Sequence, residues 1–395
     1  MKAIESELAA LRERLLGWLM VDALPLWWTV GADHAGGGFH EAIDLAGRPI
    51  LGERRARVQA RQAFSYAVAG GLGWGGPWRQ AAQHGLDFFI RRYRRADGLF
   101  WNALTAEGQP VETPPYLYEQ AFALLALATV SALPEPDPAL KPIAEAVLDR
   151  LSGERHGAAG GFTGFVDNHI YQTDPHMHLL EAAMAWELAS PDPRWRRLAD
   201  EVAELCLARF MTRDRGILLE YFDATWAPAA GLTGRLVWPG HQFEWAGLLE
   251  RWGLARGRED ARAIARRLYD IGAGHGIDPV RGVAVFELLD DLTVHDPKAR
   301  LWSQTEWLKA AIILARSERD GERRERYVAD AVAGAKALLL YLDAPTPGLW
   351  RDKLLGDGTW VQEPAPASSF YHIIDALRVL ADWTDGEPRS DSLQS

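Results

Sequence analysis

Residues 238–252 read WPGHQFEWAGLLERW. Pro239-Gly240 is a turn signal, and the apolar pattern behind it predicts a helix starting near His241. On that helix His241, Glu244 and Trp245 share a face of the first turn, because residues three and four apart are neighbours. One helix end would then present an imidazole, a carboxylate and an aromatic plate together. A carboxylate beside an imidazole stabilises the imidazolium and fixes its orientation, as general acid–base work requires. The same residues would also suit a plain helix start, with His241 as a cap and Glu244 favouring the positive end. The stretch alone does not separate these readings.

Its surroundings add a pattern. Upstream lies a Gly-led segment, GILLEYF from Gly216, and downstream a helical pattern at 258–273 studded with Arg258, Arg262, Arg266 and Arg267. The segment recurs as GFHEAID from Gly38, GLFWNAL from Gly98, GFTGFVD from Gly161, GVAVFEL from Gly282 and GLWRDKL from Gly348. Successive glycines lie 60, 63, 55, 66 and 66 residues apart, the mark of a repeated supersecondary unit. Each segment is short, often β-branched or aromatic, and reads as a strand-like loop. Helical patterns follow in pairs: 57–72 and 77–95, 117–131 and 138–152, 176–190 and 194–211, 241–255 and 258–273, 302–316 and 322–342. The last, 368–383, finds its partner in the amphipathic N-terminal stretch MKAIESELAALRERLLGWLM. The first helix of each complete pair is the more apolar, so the second belongs on a solvated outer ring. The expected fold is all-α. It is an (α/α)6 barrel of six inner and six outer helices with short β-like loops at one mouth, residues 1–395 forming a single catalytic domain.

Composition sets outer bounds. A net charge of −11 opposes nucleic-acid binding and gives no basic membrane patch. Cys206 is the only cysteine, so neither a disulfide framework nor a thiolate metal cluster is expected. The acidic N-terminal helix does not resemble a signal peptide, and no long apolar run follows, which points to a cytoplasmic protein without membrane association. Seventeen tryptophans suit either a large helical core or the apolar faces of sugar rings, and most are expected in the core.

In a toroid of this kind all six loop-to-inner-helix junctions open at one end. They carry Arg61, Tyr116 and Tyr118, His176 and His178, His241 and Glu244, Trp302 and Glu306, and His372. Any one of these would pass as a cap or a satisfied core residue. Six apolar helices that all begin with ionisable or aromatic groups at the same end point instead to a site, since buried charge is costly without a purpose.

At these junctions the chain resembles the N-acylglucosamine 2-epimerase superfamily, which includes cellobiose 2-epimerases, mannose isomerases and sulfoquinovose isomerases. The resemblance rests on Q-x-R-Q around Arg61, H-x-H-L-x-E-A with His178 and Glu181, and G-H-x-x-E-W with His241 and Glu244. Gln304/Glu306 and Tyr371/His372 complete it. It implies an (α/α)6 fold, metal-free catalysis without a cofactor, and His241 and His372 as an acid/base pair. Arg61 would hold the sugar near O1/O2, while His178, Glu244 and Glu306 position hydroxyls or histidines. Tyr118, Asp174 and Trp302 complete the expected substrate contacts. Many members carry Asn where this chain has Asp174, which bears on which sugar is accepted.

The chemistry fits the residues. Moving a proton at C2 of an aldose through an enediol(ate) needs a base with a pKa near the working pH and a donor for the developing oxyanion. An imidazole, at about 6.5, and the Arg61 guanidinium supply these. One base returning the proton to C1 gives aldose–ketose isomerisation; two bases on opposite faces give 2-epimerisation. D-mannose to D-fructose is the expected reaction. The alternatives are 2-epimerisation of mannose, glucose, an N-acylglucosamine or cellobiose, and isomerisation of mannose 6-phosphate. A glycoside hydrolase would use two carboxylates from Asp174, Glu244 and Glu306 but leave the histidines unexplained. His176 and His178, two apart on a helix, do not face each other, which opposes a metal site. Of the basic residues near the mouth, Arg54, Arg55, Arg57 and Arg61, helical spacing turns some outward, which favours an uncharged sugar. The expected partner is a small sugar, with the chain a monomer or homodimer.

Overall fold

The computed structural model describes residues 2–154, 156–157, 159–163 and 171–383. Residues 164–167 of the third Gly-led segment lie outside them. Among the described residues twelve helices follow the repeat. They are α1 (Lys2–Trp18), α2 (Ala56–Gly71), α3 (Trp78–Tyr93), α4 (Leu117–Ser131), α5 (Leu140–Glu154) and α6 (Thr173–Ala189). The second half supplies α7 (Pro193–Leu205), α8 (Pro239–Arg256), α9 (Glu259–His275), α10 (Leu301–Ser317), α11 (Gly321–Leu342) and α12 (Phe370–Ala381). Beyond α1 the chain continues in helical turns to Gly31, with wide π turns on either side of Leu24–Leu26. Pro25 lacks an N–H and would crowd a regular turn, so a widened ladder suits it.

The even-numbered helices form the inner ring. Each packs on the next, and α12 returns to α2. The odd-numbered helices lie outside, each against its inner partner, while α1 packs on both α11 and α12. Composition explains the division: α4 is buried along nearly its whole length, whereas α9 buries one stripe and turns its arginines outward. Arg262 of α9 reaches inward only as far as Glu250 of α8, at 3.0 Å.

Every Gly-led segment turns on its glycine. Gly38, Gly98, Gly161, Gly216, Gly282 and Gly348 all have φ between 63° and 88°, a backbone region that a side chain disfavours. After the turn, most segments pair with the two residues that precede an inner helix. Arg54–Arg55 pairs with Ala103–Leu104, Tyr171–Gln172 with Tyr221–Phe222, Leu236–Val237 with Leu288–Leu289, and Ala299–Arg300 with Lys353–Leu354. Ala42–Ile43 pairs with Ala365–Pro366, so the first repeat is stitched to the last. These ladders ring one mouth of the barrel.

Candidate active site

At that mouth opens a cavity of about 480 Å³. Arg61, Tyr118, Asp174, His178, His241, Glu244, Trp302 and His372 all line it, so residues up to 311 positions apart meet at one place. Trp238 and Trp302 are the tryptophans on its wall; Trp186 and Trp195 illustrate the others, stacked at 5.0 Å between α6 and α7.

Local sequence explains why the helix starts are held so firmly. The amide of Gln59 accepts from the N–H of Phe39 at 2.7 Å and donates to its carbonyl at 2.9 Å. Gln120 clamps Phe100, Gln242 clamps Leu218 and Gln304 clamps Ala284 in the same way. On α6 the position belongs to His176. Its Nε2 accepts from the N–H of Phe162 at 3.0 Å, and its Nδ1 meets the carbonyl of Gln172 at 2.9 Å. Burial without a charge partner pushes this imidazole down to about 4, so it is neutral near pH 7. His176 therefore ties a loop to its helix and does not reach the cavity, unlike His178 two residues on.

His241 and His372 are placed in opposite surroundings. His241 stands at the third position of α8, behind Pro239, and its Nδ1 lies 2.7 Å from Glu220. Although burial opposes the charge, Glu220, Asp174 and Glu244 together hold the imidazole up to about 9, so it is an imidazolium near pH 7. His372 opens α12 with Nδ1 2.9 Å from Glu306. Burial, then the positive charges of Arg61, Lys309, His178 and Arg300, push it well below the ordinary range, so it is a neutral base. Trp302 lies between them, its ring centred 5.1 Å from that of His241 and 5.9 Å from that of His372. Gly240 makes this possible, since a Cβ there would sit 2.3 Å from the Trp302 ring.

Three expectations change. Glu244 is not the partner of His241. Glu220 takes that role, from the Gly216 segment, and Glu244 instead lies 3.9 Å from His178 Nδ1. Glu306 does not line the cavity: it is fully buried behind His372, and any influence on a ligand passes through that ring. Trp245 packs against Phe210, away from the cavity, although its neighbour Glu244 lines it. The signal for Glu220 was present in the repeat. The fifth residue of three segments is Asn102, Glu220 and Asp352, each of which bonds the next helix start or the residues beside it.

The remaining charges are balanced. His178 is buried with Nε2 3.3 Å from Asp174 and Nδ1 3.3 Å from Glu181. Burial works against its charge, but Glu244, Asp174 and Glu181 outweigh it and keep the ring an imidazolium. Arg61 donates to the Ser368 carbonyl at 2.9 Å and to the Tyr118 hydroxyl at 2.7 Å, with its guanidinium 4.0 Å over Phe122. Of the neighbouring arginines, Arg54 turns away to Asp33, but Arg55 and Arg57 face the cavity, and Arg300, from outside the group the sequence singled out, joins them. Each of these three has its own carboxylate: Glu41 at 2.6 Å, Glu119, and Asp352 at 2.8 Å. Arg61 has none within ion-pair distance among the described residues.

Two groups bring metal-ligand atoms within 4.8 Å of one another: His178, Glu181 and Glu244, and Glu244, Glu306 and His372. The protein's own cations stand beside both, His178 in the first and Lys309, 2.7 Å from Glu306, in the second. Among the described residues no helix is long and apolar enough to cross a membrane.

A family profile described as N-acylglucosamine 2-epimerase (GlcNAc 2-epimerase) matches residues 37–376. The chain is 46% identical over 372 residues to a mannose-6-phosphate isomerase of Rhizobium meliloti (strain 1021), covering 93% of this chain and 96% of that protein. It is 27% identical to a D-mannose isomerase of Thermobifida fusca over 92% and 93% of the two chains. A crystal structure of D-mannose isomerase superposes with a TM-score of 0.81 at 21% identity, covering 96% of this chain and 98% of that one.

Proposed function

The chain belongs to the N-acylglucosamine 2-epimerase family, whose members are sugar isomerases and epimerases, and on that premise we propose that it interconverts free D-mannose and D-fructose. The observation that carries this reading is the opposite displacement of two imidazoles on one cavity. A neutral His372 accepts a proton and a charged His241 gives one. His372 Nε2 takes the proton from C2 of the open aldose and returns it at C1. The His241 imidazolium, steadied by Glu220, assists ring opening and moves a proton between O1 and O2. Arg61 stabilises the enediolate oxygen, and Trp302 offers a flat apolar face to the sugar. No metal or cofactor enters the scheme.

Charge balance supports an uncharged sugar. Arg55, Arg57 and Arg300 are each matched by a carboxylate, so a phosphate dianion would find Arg61 as its unmatched guanidinium. Mannose 6-phosphate is the second reading, favoured by the name of the relative at 46% identity and by the number of arginines on the wall. Incubation with free and phosphorylated aldoses, with products separated by chromatography, tests both. Turnover of mannose is expected, and turnover confined to the phosphate ester would replace the first reading with the second. In D2O, label arriving at C1 marks isomerisation; label at C2 of an inverted aldose marks 2-epimerisation. Activity should withstand EDTA, and its loss with recovery on adding a divalent ion would overturn the scheme.

A further inference from the structure

Beneath His372 lies a buried ion cluster that the reaction scheme does not use. Lys309 of α10 is 7% exposed, one turn below Glu306. Its Nζ lies 2.7 Å from Glu306 Oε2 and 2.9 Å from Asp375 Oδ2. Asp375, one turn below His372 on α12, is bonded in turn by Arg378 at 2.7 Å. A buried lysine is costly and persists where its charge is matched. Here it is matched from two helices, and one of its partners is the carboxylate that holds His372 by its Nδ1.

That arrangement matters because Glu306 can bond the ring in two ways. As a carboxylate it accepts Nδ1–H, and the Nε2 lone pair is free. As a neutral acid it donates to Nδ1, and the ring proton moves to Nε2, where it blocks base action. We propose that Lys309 is a positioning residue that selects the tautomer of His372: its ammonium holds Glu306 as a carboxylate, so His372 carries its proton on Nδ1 and offers Nε2 to the sugar. The inference rests on the reading of His372 as the proton acceptor.

The surrounding groups make the choice a close one. Burial and the Glu244 carboxyl on α8 push Glu306 well above the usual carboxylate range, against the pull of the Lys309 ammonium. Burial pushes Glu244 up as well. Its two oxygens have no hydrogen-bond partner, whereas Glu306 has the Lys309 ammonium 2.7 Å from Oε2 and His372 Nδ1 2.9 Å from Oε1, so the geometry places a proton shared by the two on Glu244. From the other sides His178 and Glu181 on α6, Arg61 on α2, Arg300 at the head of α10, and Tyr371, Asp375 and Arg378 on α12 face the cluster. Removing the Lys309 charge leaves Glu244 and Glu306 side by side with a proton to spare, and Glu306 becomes the donor to His372.

The first readout of the test needs no substrate. Long-range 1H–15N correlation on histidine-labelled protein near pH 7, with His372→Ala assigning the ring, should show Nδ1–H and an unprotonated Nε2 in the unsubstituted enzyme. Lys309→Met should move the proton to Nε2 and lower kcat about 10²-fold at little change in KM, and Lys309→Arg should restore both. An Nε2–H tautomer in the unsubstituted enzyme overturns the proposal. So does a folded Lys309→Met enzyme with unchanged tautomer and kcat. Should Lys309→Met fail to fold, the tautomer of the unsubstituted enzyme still decides. Full turnover in His372→Ala would instead remove the reading of His372 as the base, while the spectra still judge what Lys309 does to the ring.

Discussion

His241 and His372 each have a glutamate within 3 Å of Nδ1, so the opposite roles proposed for them, acid and base, rest on what else surrounds each ring. For His241 the neighbours are carboxylates, so its pKa rises to about 9. A histidine raised in this way stabilises the fold below its unfolded value of about 6.5, and that contribution fades as pH climbs toward 9. Activity should fall over the same alkaline range if the imidazolium is the acid. Glu220→Gln removes the nearest anion, so the alkaline limb of kcat/KM should move down toward neutrality, and an unmoved limb would exclude His241 from the acid role. Gly240→Ala probes the aromatic plate. Its Cβ would meet the Trp302 ring and Ser303 Oγ, so Trp302 must shift, with an expected KM increase of roughly tenfold and about 1–3 kcal/mol of destabilisation. Steady-state kinetics and chemical denaturation measure both effects; unchanged values for both would show that Trp302 moves freely. At this scale the sequence pointed to most of the residues that line the cavity, but not to Glu220 or Arg300 and not to which residues pair. Helical spacing gives the angle of Glu244 about its axis, but His241 sits at the helix end and reaches Glu220, which arrives from a segment 21 residues upstream.

At the level of elements the repeat was legible because its glycines do one job six times. Helix limits followed within a few residues of the apolar periodicity, and 117–131 coincides with α4. The glutamine clamp was less visible, since an amide on an apolar helix reads equally as a solvated or a buried polar group until its partner is known. His176 shows the clamp by departing from it. Its folded-state pKa of about 4 lies below that of the unfolded chain, so the unfolded state binds the extra proton. Stability therefore falls as pH drops from about 6.5 to 4, by roughly 3 kcal/mol over the full window. His176→Gln restores the side chain that clamps four other segments, and an amide does not titrate there. The variant should keep its turnover and resist acid unfolding further than the parent. Equal acid midpoints by circular dichroism would mean that His176 is not the group whose protonation loosens this segment.

The whole molecule is a ring, and a ring has a seam. Sequential neighbours close five of its six inner contacts, but α12 meets α2 only because the two ends of the chain come together. Ala42–Ile43 pairs with Ala365–Pro366, Arg61 donates to the carbonyl of Ser368, and α1 covers α11 and α12 from outside. Trp27 is the largest bolt. It stacks on Trp350 at 4.7 Å, packs on Phe370 at 5.8 Å, and donates from Nε1 to the Gly348 carbonyl at 3.2 Å. Phe370 is two residues from His372, so the proposed base stands beside the seam where the last inner helix meets the first. Helical periodicity predicts the helices and the six-fold repeat predicts a closed ring, but the tryptophan count suggested a core without indicating which tryptophans hold the seam. Trp27→Ala should cost about 3–5 kcal/mol through lost burial and the cavity left behind. The loss should also fall unevenly. Amides of α12 should exchange faster relative to those of α8, and kcat should decline with temperature before the ring as a whole melts. Hydrogen exchange followed by mass spectrometry, run beside a thermal melt, distinguishes this from uniform weakening. Equal acceleration in α8 and α12 would show that the ring opens as one unit, and that the seam is no weaker than its other joints.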